Sequence, residues 1–146
     1  MIENAIDKLC YLCDIIPGLL NNTADITFNE KTSPDKWSKK EIIGHLIDSA
    51  TNNHQRFVRA QFEDNPSIAY DQNQWNACNY YQDIDRKQII DFWTIYNKQL
   101  LELFRRIPAE HLQRTCMIKG QMLTLDFLIN DYVAHLEHHL RQVVSY

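Results

Sequence analysis

Glycine and proline are both scarce in this sequence, with three and four occurrences in 146 residues. A sandwich or barrel needs many turns, so this shortage points to long helices with few connections. No apolar run approaches the roughly 18 residues of a membrane-spanning helix. Basic charge is also lacking: the formal net charge is −4. No basic face is available for phosphate binding, which argues against nucleic acid as a partner. The first twenty residues, MIENAIDKLCYLCDIIPGLL, carry acidic groups and no basic opening stretch. They do not read as a signal peptide, and a cytoplasmic protein is expected. Cys10 and Cys13 form one close pair, while Cys78 and Cys116 stand alone. A zinc ribbon would need a second pair, so four free thiols, buried or half-buried, are expected. Hydrophobic residues make up 45% of the chain, enough for one ordinary domain with its own core, spanning 1–146.

The apolar period is helical almost throughout. A first segment from about Ile2 to Leu20 places Ile2, Ile6, Leu9, Cys13, Ile16 and Leu20 on one stripe, and Pro17-Gly18 is expected to kink it or end it early. A polar loop follows. The second segment starts at a capping box, Ser38 with Glu41 three residues on, and Trp37 and Ile42 are spaced for a hydrophobic staple. It is expected to run from Lys39 to about Phe62, before Asn65-Pro66. A long connection rich in Asn, Gln and aromatics comes next. The third segment begins after Asp83 or Asp85 and stops at Pro108. RTCMIKGQMLTL then reads either as a short hairpin turning at Lys119-Gly120 or as plain loop. The last segment starts from Thr124 as N-cap and carries Leu125, Leu128, Tyr132, Leu136 and Val143. Four long helices with long crossover connections predict an all-α four-helix bundle.

Six histidines are present, three of them in the HLEHH of the last helix. His135 and His139 are four apart, so they share one helix face, the spacing by which one helix offers two imidazoles to one metal. His138 stands three from His135, and spacing alone does not choose between His138 and His139. His45 lies in an apolar run, IIGHLI, where its ring nitrogens need partners. A lone core histidine is more often hydrogen-bonded than metal-bound, and paired histidines on a surface are common. His54 and His111 lie among polar residues and read as exposed. Asp48, Ser49 and Asn52 follow His45 on nearly the same face. Asp48 is either hydrogen-bond support for an imidazole, a general base, or a solvated helix charge. Asp131 and Gln142 flank the histidine pair. Arg56 is expected to form a salt bridge or to meet an anionic substrate. Tyr70, Asp71 and Trp75 form either a lid over the site or an aromatic loop packed on the bundle end.

WSKKEIIGHLIDSATNNHQRF resembles the second helix of the DinB-like superfamily, in its YfiT-like branch of candidate metal-dependent hydrolases. YVAHLEHHLRQV resembles that family's last helix, and YDQNQW and the Gly120–Leu125 stretch match the same branch. Together the matches extend from Trp37 to Val143. The resemblance implies a four-helix bundle, usually dimeric, holding a divalent metal on three histidines. These are the histidine of Gly-His-Leu, His45, and the pair of His-x-x-x-His, His135 and His139; this selects His139 over His138. Relatives include thiol-cofactor transferases, a thiol-dependent isomerase and proteins named for induction by DNA damage. Three imidazoles leave a coordination position open, as in catalytic sites. Zinc or nickel suits such a set. The metal-dependent activity so implied is hydrolysis or thiol-dependent S-transfer on a small molecule, with a low-molecular-weight thiol as a further cofactor. The alternative is a non-enzymatic metal-binding stress-response protein.

Overall fold

The computed structural model describes residues 1–146. Four long helices dominate: α1 (Glu3–Asn21), α3 (Lys39–Arg59), α5 (Arg86–Phe104) and α6 (Leu125–Val143). Two short helices lie in the connections, α2 (Asp25–Asn29) and α4 (Gln72–Asn79). A two-stranded hairpin, β1 (Thr115–Ile118) and β2 (Gln121–Thr124), precedes α6.

The helix starts follow local chemistry. Ser38 and Glu41 make the full capping box at α3, satisfying two otherwise orphaned backbone N–H groups. Asp85, not Asp83, caps α5 by accepting from Gln88 N, and the Thr124 hydroxyl accepts from Phe127 N at α6. Trp37 stacks its ring on His45, with centroids 4.8 Å apart. The hairpin turns at Lys119 and Gly120, both at positive φ (+49° and +81°), the pattern of a tight two-residue turn whose twist matches its strands.

Four expectations need correction. α1 runs through Pro17 to Asn21 without ending, because one proline removes only one backbone hydrogen bond and packing of the flanking Ile16 and Leu20 holds the turn. α3 stops at Arg59, three residues short of Phe62. The polar loop after α1 contains α2, which forms around the fully buried Phe28. The long aromatic connection contains α4, N-capped by Asp71 through the backbone N–H groups of Asn73 and Gln74.

α1 and α3 each pack against both α5 and α6. α1 runs parallel to α6: Met1 meets Asp126 and Lys8 meets Glu137. It runs antiparallel to α5: Arg86 donates to the Leu20 carbonyl and Arg105 reaches Cys10. α3 runs parallel to α5 (His54 on Tyr96, Phe57 on Phe104) and antiparallel to α6 (His45 on His139, Phe57 on Tyr132). Two consecutive long helices, α3 and α5, therefore point the same way. Their connection must return along the bundle. It docks on β1 through Ser67 and Met117, then passes down α3 by way of Arg56 to the Ile68 carbonyl, Asn79 to Asp48 and Ser38 to Gln82.

The core fills the middle of the bundle. Phe57, Phe104 and Tyr132 meet edge to face at 5.0–6.3 Å. Buried Tyr132 donates to Asn97 Oδ1 at 2.7 Å, which satisfies a hydroxyl that would be costly to bury alone. At the end where α3 begins, the Tyr81 ring lies directly on Gly44, where any Cβ would overlap it. Alanine at this position would gain up to about 1 kcal/mol of helix propensity. The overlap with a buried ring costs about 1–3 kcal/mol and outweighs that gain. Gly44→Ala is therefore expected to lower the thermal unfolding midpoint by several degrees; an unchanged or raised midpoint in calorimetry would contradict the close approach.

Candidate metal centre

His45 sits on the second turn of α3, and His135 and His139 sit one turn apart near the end of α6. Because α3 and α6 are antiparallel, these positions meet at one end of the bundle. One ligand nitrogen from each of the three lies within 4.8 Å of the others. Nε2 of His45 and Nε2 of His135 are 3.1 Å apart. A tetrahedral ion with bonds of about 2.0–2.1 Å would separate its ligand nitrogens by about 3.4 Å, so this set fits a divalent ion with little movement. His138 is exposed and lies outside this group, its ring edge to face with that of His139 at 5.0 Å.

The protonation states suit ligation. Burial, then the neighbouring His135 and His139, push the His45 imidazole down to about 3. Burial, then His139 and His138, push His135 down to about 4. Both rings are neutral at pH 7, the form that binds metal. Each ring is also braced differently. His139 Nδ1 donates to Gln142 Oε1 at 3.0 Å, leaving Nε2 for a ligand in the usual manner. His45 Nδ1 is buried without a hydrogen-bond partner, and its ring is held by stacking on Trp37 instead.

Asp48 is 1% exposed, so it is not a solvated helix charge. Its Oδ1 accepts from the Tyr81 hydroxyl at 2.5 Å and from Asn79 Nδ2 at 2.9 Å, while Oδ2 has no partner. Burial pushes its carboxyl up to about 6, against the pull of those two hydrogen bonds. It does not join the three imidazoles as a further ligand. Tyr81 and Asn79 were not legible as site residues; the only signal was their place in the long connection. Asn52 donates to the Asp48 backbone carbonyl within its own helix. Ser49 and Asp131 line a small cavity beside His135.

Several expectations differ from what is seen. Arg56 forms no salt bridge; it donates to the Ile68 carbonyl and to Asn53. His54 and His111 are half-buried, paired with Tyr96 and Gln61. Cys78 is exposed, whereas Cys10, Cys13 and Cys116 are buried or half-buried as expected, and all four are free. Tyr70 and Trp75 meet edge to face at 5.8 Å at the start of α4, so the expected loop here is a helix start. No helix is long and apolar enough to cross a membrane.

Comparison with known proteins agrees with this architecture. A protein of Halalkalibacterium halodurans, named as a candidate metal-dependent hydrolase, is 25% identical over 144 residues, covering 97% of this chain and 84% of its own. Bacillus subtilis YfiT, named likewise, is 22% identical over 146 residues, covering 95% and 82%. The solved structure of YfiT, described as an unusual four-helix bundle, superposes with a TM-score of 0.83 at 20% identity, covering 98% of this chain and 86% of that one. The sequence model of the DinB superfamily matches residues 14–143. With a three-histidine cluster on an up-down-down-up bundle, this chain belongs to the DinB superfamily.

Proposed function

We propose that this chain is a metal-dependent enzyme acting on a small molecule, a hydrolase or a thiol-dependent S-transferase, with His45, His135 and His139 holding one divalent ion, zinc or nickel. The observation that carries this reading is the convergence of three imidazoles from two antiparallel helices, those of His45 and His135 held neutral by burial, with His135 opening onto a cavity. A purely structural site closes its metal with four protein ligands; here only three converge, leaving room for substrate. The names of the relatives point the same way. When bound, such an ion would lower the pKa of a water towards about 7, or hold a thiol substrate as thiolate.

The chain's own residues supply orientation and proton handling. Gln142 holds the His139 ring, and Trp37 holds the His45 ring. Asp48, its carboxyl raised by burial to about 6 and aimed by Tyr81 and Asn79, is the group we assign to take up or return a proton at its free Oδ2. The remaining expectations belong to the same proposal: a low-molecular-weight thiol as cosubstrate, a homodimer in the cytoplasm, and no nucleic-acid partner, in keeping with the net charge of −4.

Protein purified without added metal or chelator is expected to carry about one equivalent of zinc or nickel by elemental analysis, since ions of this kind suit an imidazole set. His45→Ala and His135→Ala are each expected to lose most of it. Full occupancy in either variant would remove that residue from the ligand set, and absence of metal in the wild type, with no uptake on addition, would end the metal-dependent reading.

Acid stability of the metal-free protein gives a second prediction. His45 and His135 fall below their ordinary 6.5 on folding. Below that pH the unfolded chain binds more protons than the folded one, so stability is lost as pH drops from about 6.5 towards 3. Asp48 rises above its ordinary 3.8. Between about 6 and 3.8 the folded chain binds its extra proton, so Asp48 opposes part of that loss. In urea unfolding series, His45→Gln is expected to flatten the acid limb and Asp48→Asn to steepen it; the reverse order would contradict these environments.

A further inference from the structure

Beside the histidine cluster, two cavities share two side chains. A cleft of about 830 Å³ is lined by Arg56, Tyr70, Asp71 and Lys119 among others. A smaller cavity of about 150 Å³ is lined by Ser49, Asn53, Arg56, Tyr70, Asp131 and His135. Arg56 and Tyr70 belong to both, so they stand where the open cleft narrows towards His135.

Arg56 is only 8% exposed, yet no carboxylate lies within ion-pair distance. Its partners are all neutral: Nε and Nη2 donate to the Ile68 carbonyl at 3.2 and 3.0 Å, and Nη1 donates to Asn53 Oδ1 at 3.1 Å. A guanidinium has five N–H groups. Three are used, so two remain. A buried cation with neutral partners and spare donors is costly unless an anion completes it. The nearby acidic groups do not do so. Asp71 spends its Oδ1 on the backbone N–H groups of Asn73 and Gln74 at the start of α4. Asp131 shares the small cavity but is exposed and forms no bond to Arg56. Lys119, held at the hairpin turn, adds a second positive charge on the cleft side.

We propose that Arg56, at the junction of these two cavities, receives an anionic group of the substrate, a carboxylate or a phosphate, and directs the rest of the molecule towards His135. The proposal rests on the metal-site reading for its direction but not for its anion. The Ile68 carbonyl and Asn53 fix the guanidinium plane, so the two free N–H groups present a rigid fork of the kind that suits planar oxyanions. Asp131 lines the small cavity with His135, and its charge disfavours an anion that settles there rather than on the cleft side of Arg56.

Two measurements separate this proposal from the metal reading. In metal-free protein, titration with inorganic phosphate is expected to shift the Arg56 Nε–H resonance saturably, and Lys119→Ala, at an exposed turn, is expected to weaken that binding. In cobalt-loaded protein, a thiolate-to-metal absorption band reports thiol binding. Mercaptoacetate, mercaptopropionate and mercaptobutyrate are each compared with the mercaptoalcohol of the same length. At least one mercaptocarboxylate is expected to bind about tenfold or more tightly than its alcohol, the size of a charge-assisted hydrogen bond. Arg56→Gln should abolish that preference while leaving mercaptoalcohol binding intact, and Arg56→Lys should keep part of it. A phosphate shift without any cobalt band would sink the metal site and leave the anion site standing. A cobalt band with no phosphate shift and equal affinity for acid and alcohol would overturn the anion site alone. Should Arg56→Gln fail to fold, the phosphate titration and the Arg56→Lys and Lys119→Ala comparisons still decide the matter.

Discussion

The antiparallel contact of α3 with α6 is the constraint on which the site depends. It brings the second turn of one helix against the last turns of the other, and so packs three imidazoles together, one buried and two half-buried. The neutrality of His45 and His135 follows from that packing. A charged imidazole loses its hydration there and faces two others, so His45 and His135 fall well below their ordinary value. The neutral state of these two imidazoles at pH 7 is thus a consequence first of burial.

The up-down-down-up order has a second consequence. Because α3 and α5 are parallel, residues 60–85 must travel back along α3, and they cover its polar face as they go. That passage delivers Asn79 and Tyr81 to Asp48, Tyr70 to the cavity beside His135, and the Ile68 carbonyl to Arg56. Most of the polar groups around the histidines are therefore held by a segment distant from them in sequence. Gly44 is part of the same arrangement, since only a residue without a side chain lets the Tyr81 ring lie against α3 and aim its hydroxyl at Asp48.

The balance of polar burial is uneven across the site. His139 has its hydrogen-bond support in Gln142, whereas His45 Nδ1 and Asp48 Oδ2 are buried without partners. Unsatisfied buried polar atoms cost about 1–3 kcal/mol each. Trp93 Nε1 in the core and Asn65 Oδ1 share that condition, so two of the four such atoms stand beside the histidine cluster and two lie elsewhere.

Much of this was legible beforehand. The capping box at Ser38, the N-cap at Thr124, the shared face of His135 and His139, and the long helical periods are all local properties, set within one or two turns of chain. The four-helix architecture follows from them and from the resemblance carried by the histidine-bearing segments. What the sequence could not decide was anything requiring two distant segments at once. α2 and α4 are short helices stabilised by Phe28 and by docking on α3, so their composition reads as loop. Asp48 reads as imidazole support, general base or solvated charge alike until Tyr81 and Asn79 arrive from across the crossover. Arg56 reads as one half of a salt bridge or as a contact for an anionic substrate until the fold supplies it with a carbonyl and no carboxylate. Helix starts and ligand spacing are written in contiguous residues; burial, ionisation and hydrogen-bond partnership are properties of the packed chain, because each depends on how much water the other segments remove.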